Sequence, residues 1–190
     1  DDFIERLFIA NTHDTMLCFS SLGKLYWLRV WQVPQGTRVS RGKPIVNLFP
    51  LAEGERISAV LPIKDYDDAH YVFMATAMGT VKKTPLSAFS NPREKGIIAA
   101  ELDEGDHLIG VAITEGKHDV MLFSDAGKAV RFEEADVRPM GRVARGVRGM
   151  MLDEGQRVID MLVAASESQT VLTVTENGFG KRTPISEYTR

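Results

Sequence analysis

The sequence predicts an all-β, propeller-like array built from repeats of about 50 residues, and three recurring anchors predict it. The first is an apolar run that ends in a turn glycine, at 17–23, 73–79, 121–127 and 172–178, closed by Gly23, Gly79, Gly127 and Gly178. The second is a glycine beside basic residues, at Arg41-Gly42-Lys43, Lys95-Gly96 and Arg145-Gly146. The third is Leu-x-Glu-Gly, at Leu51 to Gly54, Leu102 to Gly105 and Leu152 to Gly155. All three recur in one order at one interval, as in chains whose supersecondary units bury their faces against the next unit.

Each element follows from its own pattern. Residues 3–10 and 16–19 are short apolar runs, and 24–30 alternates polar with large apolar residues, as a half-buried strand does. Gly23 closes these last two into a hairpin. Similar hairpins are expected at 72–77 with 80–83, 120–124 with 129–132, and 171–175 with 179–182. Asn177-Gly178 is the strongest turn signal, because a tight primed turn needs positive φ at both central residues. A short helix-like segment follows, as at 85–89 and 133–136, too short to be an independent helix. The chain then passes its glycine loop and recovers an apolar strand at 45–48, 97–100 or 147–151. After Leu-x-Glu-Gly it runs a last apolar strand at 57–63, 108–113 or 158–163. Four strands per period make one blade, and blades set around an axis leave only short protected edges.

The chain has 190 residues, 44% hydrophobic and 26% charged, with a formal net charge of -3. This composition excludes intrinsic disorder, and the unbroken repeat offers no place to divide 1–190 into two domains. No apolar stretch reaches the ~18 residues of a membrane span, and the start at Asp1-Asp2 is acidic. A cytoplasmic, membrane-free and monomeric chain is expected. The lone Cys18 lies in an apolar run and excludes a disulfide framework; it reads as a small buried hydrophobe.

Charge is segregated within each repeat. Between Gly23 and Ala52 there is no acid, whereas Lys24, Arg29, Arg38, Arg41 and Lys43 are basic. From Val137 to Leu152 the charges are Arg138, Arg142, Arg145 and Arg148, and between these regions lie Lys82, Lys83, Arg93 and Lys95. Acids collect at 65–68, at 101–106 and around the Leu-x-Glu-Gly turns. Because the basic loops share one phase of the repeat, blades in a ring bring them out along one rim. Glycine beside arginine lets the backbone come close to a polyanion, and guanidinium forks match phosphate oxygens. The loops carry no aromatic stacking set near their glycines, so duplex DNA is preferred over a single strand.

Catalytic patterns are missing. His13, His70, His107 and His118 share no repeat phase and no H-E-x-x-H spacing, so no metal site is expected. Ser124-Asp125 lacks a nucleophile elbow, and Gly178-Phe179-Gly180-Lys181 precedes a strand where a phosphate loop would precede a helix. The acid pairs Glu133-Glu134 and Asp67-Asp68 read as solvated turns, and Trp27 and Trp31 as packing between blades.

Several stretches resemble the C-terminal domain of the bacterial DNA gyrase A subunit. They are Arg6-Leu-Phe-Ile-Ala-Asn-Thr-His-Asp-Thr15, Leu17-Cys-Phe-Ser-Ser21, Gly42-Lys-Pro-Ile-Val-Asn-Leu48, Gly79-Thr-Val-Lys-Lys-Thr-Pro85 and Asn177-Gly-Phe-Gly-Lys-Arg-Thr-Pro184. The resemblance, closer to gyrase than to the topoisomerase IV paralogue, implies a β-pinwheel of six blades whose neighbours exchange strands and whose basic rim wraps duplex DNA for negative supercoiling. It implies partners in double-stranded DNA, the rest of gyrase A, and gyrase B in a heterotetramer. ATP and Mg act elsewhere in that enzyme, and no cofactor is expected in this segment. The family's basic glycine-rich box, of the type Gln-Arg-Arg-Gly-Gly-Lys-Gly, is absent, and the chain has material for only about four blades. The loops at Gly42, Gly96 and Gly146 look like weaker copies of that box. The expected phosphate contacts are Arg38, Arg41, Lys43, Lys82, Lys83, Arg93, Lys95, Arg142, Arg145, Arg148, Lys181 and Arg182. The alternatives are a topoisomerase IV domain or a propeller-like module that binds an acidic protein.

Overall fold

The computed structural model describes Ile4 and residues 6–190. Phe3 and Glu5 of the first expected strand lie outside the described residues, and 6–10 are irregular. Four antiparallel sheets follow one another along the chain. Blade 1 contains β1 (Thr15–Ser20), β2 (Lys24–Arg29) and β3 (Ile57–Ile63). Blade 2 contains β4 (Tyr71–Thr76) and β5 (Thr80–Pro85), and β6 (Ile97–Ile98) and β7 (Leu108–Thr114) come next in the chain. Blade 3 contains β8 (Asp119–Ser124), β9 (Ala129–Glu133) and, after β10 (Val147–Arg148), β11 (Val158–Ala164). Blade 4 is the hairpin of β12 (Thr170–Val174) and β13 (Gly180–Pro184).

The fourth strand of a blade comes from the following repeat, which corrects the assignment of one blade to one period. Blade 1 has the order β3-β1-β2-β6, and blade 2 the order β10-β5-β4-β7. The outer strands β2 and β5 would otherwise present unpaired amides and carbonyls at a sheet edge. The next repeat covers them: Leu25 pairs with Ile97, and Val81 with Val147. The carbonyl of Gly23 then accepts the amides of Ala99 and Ala100, at 2.8 and 3.1 Å. That of Gly79 accepts those of Gly149 and Met150, at 2.8 and 3.2 Å. Residues Ile45–Asn47, expected as a strand of the same phase, form a 3-10 turn, and among the described residues no hairpin precedes β1 for them to cover.

Burial on both faces explains why the middle strands read as continuous apolar runs. Alternate side chains of β1 divide between two clusters. Leu17 and Phe19 face Val72, Met74 and Phe89 of blade 2, while Met16 and Cys18 join Tyr26 and Phe49 on the other side. Phe73 and Ala75 of β4 face Val120 and Leu122 of blade 3, and Met121 of β8 faces Val171 and Ile185 of blade 4. The core is therefore a series of slabs between blades. Cys18 is buried, as expected, and its burial pushes the thiol up to about 12. Trp27 packs in the first slab, but Trp31 is 66% exposed, so only the first of the two tryptophans packs between blades. It lies in a single 3-10 turn, Val30–Gln32, none of whose residues is buried.

The strands β3, β7 and β11 touch one another from blade to blade, and Ser58 Oγ of β3 donates to the Leu108 carbonyl of β7 at 2.9 Å. These strands are the inner edges, which puts β6 and β10, and the glycine loops that lead into them, at the outer edges.

Candidate nucleic-acid interface

The loop 93–96 reaches the outer edge of blade 1, and the loop 141–146 reaches that of blade 2. Their glycines are needed for this crossing. A Cβ on Gly146, at φ +111, would lie 2.5 Å from the Val81 carbonyl oxygen, and one on Gly96, at φ +71, would lie 2.7 Å from the Tyr26 ring. The glycine beside Lys95 and the one beside Arg145 thus serve close passage over the preceding blade, a role distinct from the approach to a polyanion that their neighbours suggest.

The two loops are neighbours, joined by a buried ammonium group. Lys82 Nζ of β5 donates to the Ala99 carbonyl at 2.7 Å, just past the first loop, and to the Arg142 carbonyl within the second. Burial, and after it the charge of Arg142, pushes the Lys82 ammonium down to about 8. Lys83, on the opposite face of β5, donates to the Glu134 carbonyl at 3.0 Å and lies 4.9 Å from the centroid of the Tyr71 ring. With 2% and 4% exposure, Lys82 and Lys83 are interior groups held by backbone carbonyls. They are removed from the set of expected phosphate contacts: a lysine engaged this way has no free donor facing solvent.

The other expected contacts reach the surface. Arg93, Lys95, Arg145 and Arg148 are exposed along the two adjoining edges, and Arg142 is half-buried. Arg38, Arg41 and Lys43 are exposed in an irregular segment that covers no outer strand, so this first loop does not share the placement of the other two. Lys181 and Arg182 are exposed on β13. Arg145 is engaged locally, with Nη1 3.0 Å from Asp103 Oδ1 and Nη2 3.9 Å from Glu101 Oε1. The acidic Leu-x-Glu-Gly turn of one repeat therefore sits beside the basic loop of the next, and the two signs are less separated in space than along the chain.

Two interior ions escaped the sequence reading. Glu134 is fully buried, against the expectation of a solvated turn. Its carboxylate accepts from Thr114 Oγ1 at 2.5 Å and from the His118 amide at 3.3 Å, and lies 3.9 Å from Lys83 Nζ. Arg131 of β9 binds Asp119 through Nε at 2.6 Å, contacts Glu167, and donates through Nη1 to the carbonyls of Ile185 and Tyr188 at 2.9 and 3.1 Å. Burial pushes the Asp119 carboxyl up, but the guanidinium groups of Arg131 and Arg190 outweigh it and hold it below the ordinary value. Repeat phase was the available signal, because Lys83 and Arg131 both stand four residues after a hairpin glycine. Among the described residues no group of three His, Cys, Asp or Glu side chains is placed to hold a metal ion, and no helix is long and apolar enough to cross a membrane.

Strand-exchanged β blades in series, with basic loops crossing their outer edges, define a β-pinwheel. The chain belongs to the family described as the DNA gyrase C-terminal domain, beta-propeller, whose repeats match residues 14–64, 70–115, 118–165 and 169–189. Each match holds the hairpin of one blade, and the second and third also contain the strand, β6 or β10, that completes the blade before. The DNA gyrase A subunit of Klebsiella oxytoca is 58% identical over 188 residues, which cover 99% of this chain and 21% of that protein. The chain thus spans about a fifth of that relative's length. A solved C-terminal domain of DNA topoisomerase IV superposes with a TM-score of 0.87 at 28% identity, covering 94% of this chain and 56% of that one. A solved DNA gyrase A C-terminal domain superposes with a TM-score of 0.75 at 30% identity, covering 94% and 57%.

Proposed function

We propose that the chain binds duplex DNA through its phosphates and bends it over the outer edges of successive blades, as the non-catalytic wrapping part of a DNA gyrase A subunit. In this reading it acts with the rest of gyrase A and with gyrase B in a cytoplasmic heterotetramer. The wrapped segment is presented for ATP-dependent negative supercoiling by residues outside this chain. The observation that carries the reading is the pair of basic loops on adjoining outer edges, tied together by Lys82, with Arg93, Lys95, Arg145 and Arg148 at the surface. Arg38, Arg41, Lys43 and Arg142 extend the same charge, and Lys181 continues it on blade 4.

Such contacts hold the backbone without reading bases. Bending a site of 20 to 30 base pairs by 40 to 90° costs of order 1 to 6 kcal/mol, so several phosphate contacts must act together to offset it. Affinity for a long duplex should then fall steeply between about 50 and 200 mM salt, with little sequence preference. A salt-insensitive affinity would contradict the proposal. Competition by an acidic protein at the same loops, with no binding of DNA, would favour a protein-interaction module instead.

A further inference from the structure

One interaction repeats between blades and is left open at the last. Trp27, Lys83 and Arg131 each stand four residues after a hairpin glycine, at Gly23, Gly79 and Gly127. Each donates across a slab to the 3-10 turn that follows the next hairpin. Trp27 Nε1 reaches the Phe89 carbonyl at 3.0 Å, at the end of the turn Leu86–Phe89. Lys83 Nζ reaches the Glu134 carbonyl, at the start of the turn Glu134–Asp136. Arg131 reaches the Ile185 carbonyl at the start of the turn Ile185–Glu187 and the Tyr188 carbonyl just past it.

Three side chains of different chemistry reach the same turn. The Phe89 and Tyr188 carbonyls have no amide partner within their turns, while those of Glu134 and Ile185 accept the turn's closing amide, from Val137 and Tyr188 at 3.1 and 3.0 Å, and take the cross-slab donor on their second lone pair. Arg182 stands four residues after Gly178, in the same phase. Its cross-strand partner is Leu172, as Leu17 is that of Trp27, Phe73 that of Lys83 and Met121 that of Arg131. Leu17, Phe73 and Met121 are each 0% exposed beneath the next blade, whereas Leu172 is 67% exposed and Val174, two residues on, 66%. Blade 4 thus carries the apolar pair and the donor of an inter-blade face with nothing over them among the described residues.

We propose that Arg182 is an inter-blade pin: it receives the 3-10 turn of a following repeat of the same polypeptide, which covers Leu172 and Val174. A following repeat is the occupant because every other donor of this phase is filled by one. The solved domains of which this chain covers 56% and 57% also contain structure beyond the part it matches. Arg182 is thereby a positioning residue for the array and leaves the set of phosphate contacts. The proposal rests on the family membership, and it stands apart from whether the loops bind DNA.

The test places Arg182→Ala and Arg182→Lys in the full-length protein and follows amide hydrogen exchange in β12 and β13, together with affinity for a long duplex at fixed salt. The expected result is exchange faster by about tenfold or more in Arg182→Ala, because local opening is then easier. Protection should be restored in Arg182→Lys, since lysine already fills this role at Lys83, and affinity should change by less than about twofold. In the 190-residue chain alone, the same variant should leave exchange in these strands unchanged. Unchanged exchange in the full-length protein overturns the pin. Lower affinity with unchanged exchange makes Arg182 a phosphate contact and also overturns it. Protection of β12 and β13 that grows with the concentration of the 190-residue chain gives the face to a second copy, again against the proposal. If no form binds DNA, the wrapping function fails, while the exchange result still decides the pin.

Discussion

The ammonium of Lys83 and the carboxylate of Glu134 lie 3.9 Å apart in the slab between blades 2 and 3, with side-chain exposures of 5% and 0%. They come from different repeats, so this is an ion pair that assembly of the array creates. Each ion has further partners: the Glu134 carbonyl and the Tyr71 ring for Lys83, and Thr114 and the His118 amide for Glu134. Removing one member strands the other in the interior, which costs about 3–5 kcal/mol. Lys83→Met and Glu134→Gln should each lose stability on that scale in urea unfolding. The double change Lys83→Met with Glu134→Gln should lose clearly less than the two single losses combined. Additive losses would show that the two ions do not act as a pair.

Lys82 gives a pH dependence. In the folded chain its ammonium releases its proton at about 8, against 10.5 for the free group. Between these values the unfolded chain binds more protons, so the stability contributed at Lys82 rises as pH rises through the window. The stability of the native chain relative to Lys82→Met should therefore increase from about pH 7.5 to 9.5, read as the difference in urea midpoints. A difference that stays level, or falls, would contradict a depressed Lys82 proton.

Gly146 tests the strand exchange. Alanine there would take up a left-handed conformation and push its Cβ against the Val81 carbonyl, at a cost of about 1–3 kcal/mol for the backbone alone. The expected outcome for Gly146→Ala is local release of β10, seen as faster hydrogen exchange at the amides it protects on β5. Blade 3 should keep its protection. Loss of protection throughout the chain would mean that β10 is integral to the global fold.

Asp103 tests the charge balance of the outer edge. Its carboxylate holds Arg145 at 3.0 Å with both groups exposed, a pair worth little to stability. In the wrapping function the same carboxylate opposes the phosphates. Asp103→Asn should raise affinity for a long duplex by about twofold to fivefold at low salt, with the gain shrinking as salt rises. Arg145→Ala combined with Arg148→Ala should lower affinity for all sequences alike. A gain or loss confined to one sequence would indicate base reading at this edge.

The repeat, the hairpins and the turn segments were legible because each depends on residues near one another in the chain. Gly23, Gly79, Gly127 and Gly178 mark hairpins whose strands begin within a few residues. Runs such as Val72 to Ala75 signal burial on both faces without saying what covers each. Lys82 and Lys83 were not legible as interior groups: adjacent lysines in a strand look like surface charge, and what holds them inside is Ala99 further along their own repeat and Arg142 and Glu134 of the next. Glu134 escaped for the same reason, since one of a pair of acids in a turn is solvated and the other is enclosed by Thr114, His118 and Lys83. Their shared phase with Trp27 and Arg131 held the information, but only a geometry in which that phase points across a slab gives it meaning.

The sequence by itself determined an all-β array with a period of about 50 residues, its hairpins and the phase of its basic loops, since turn chemistry and apolar patterning are local properties. Only the tertiary structure decided that β6 and β10 complete the preceding blade, and that Gly96 and Gly146 are glycines because a backbone passes beneath them. It alone separated the basic residues into those at the surface and those pinning one repeat to the next. An outer strand takes whichever segment satisfies its unpaired edge, and an ionised side chain is interior or exposed according to neighbours about 50 residues away, which no local pattern specifies.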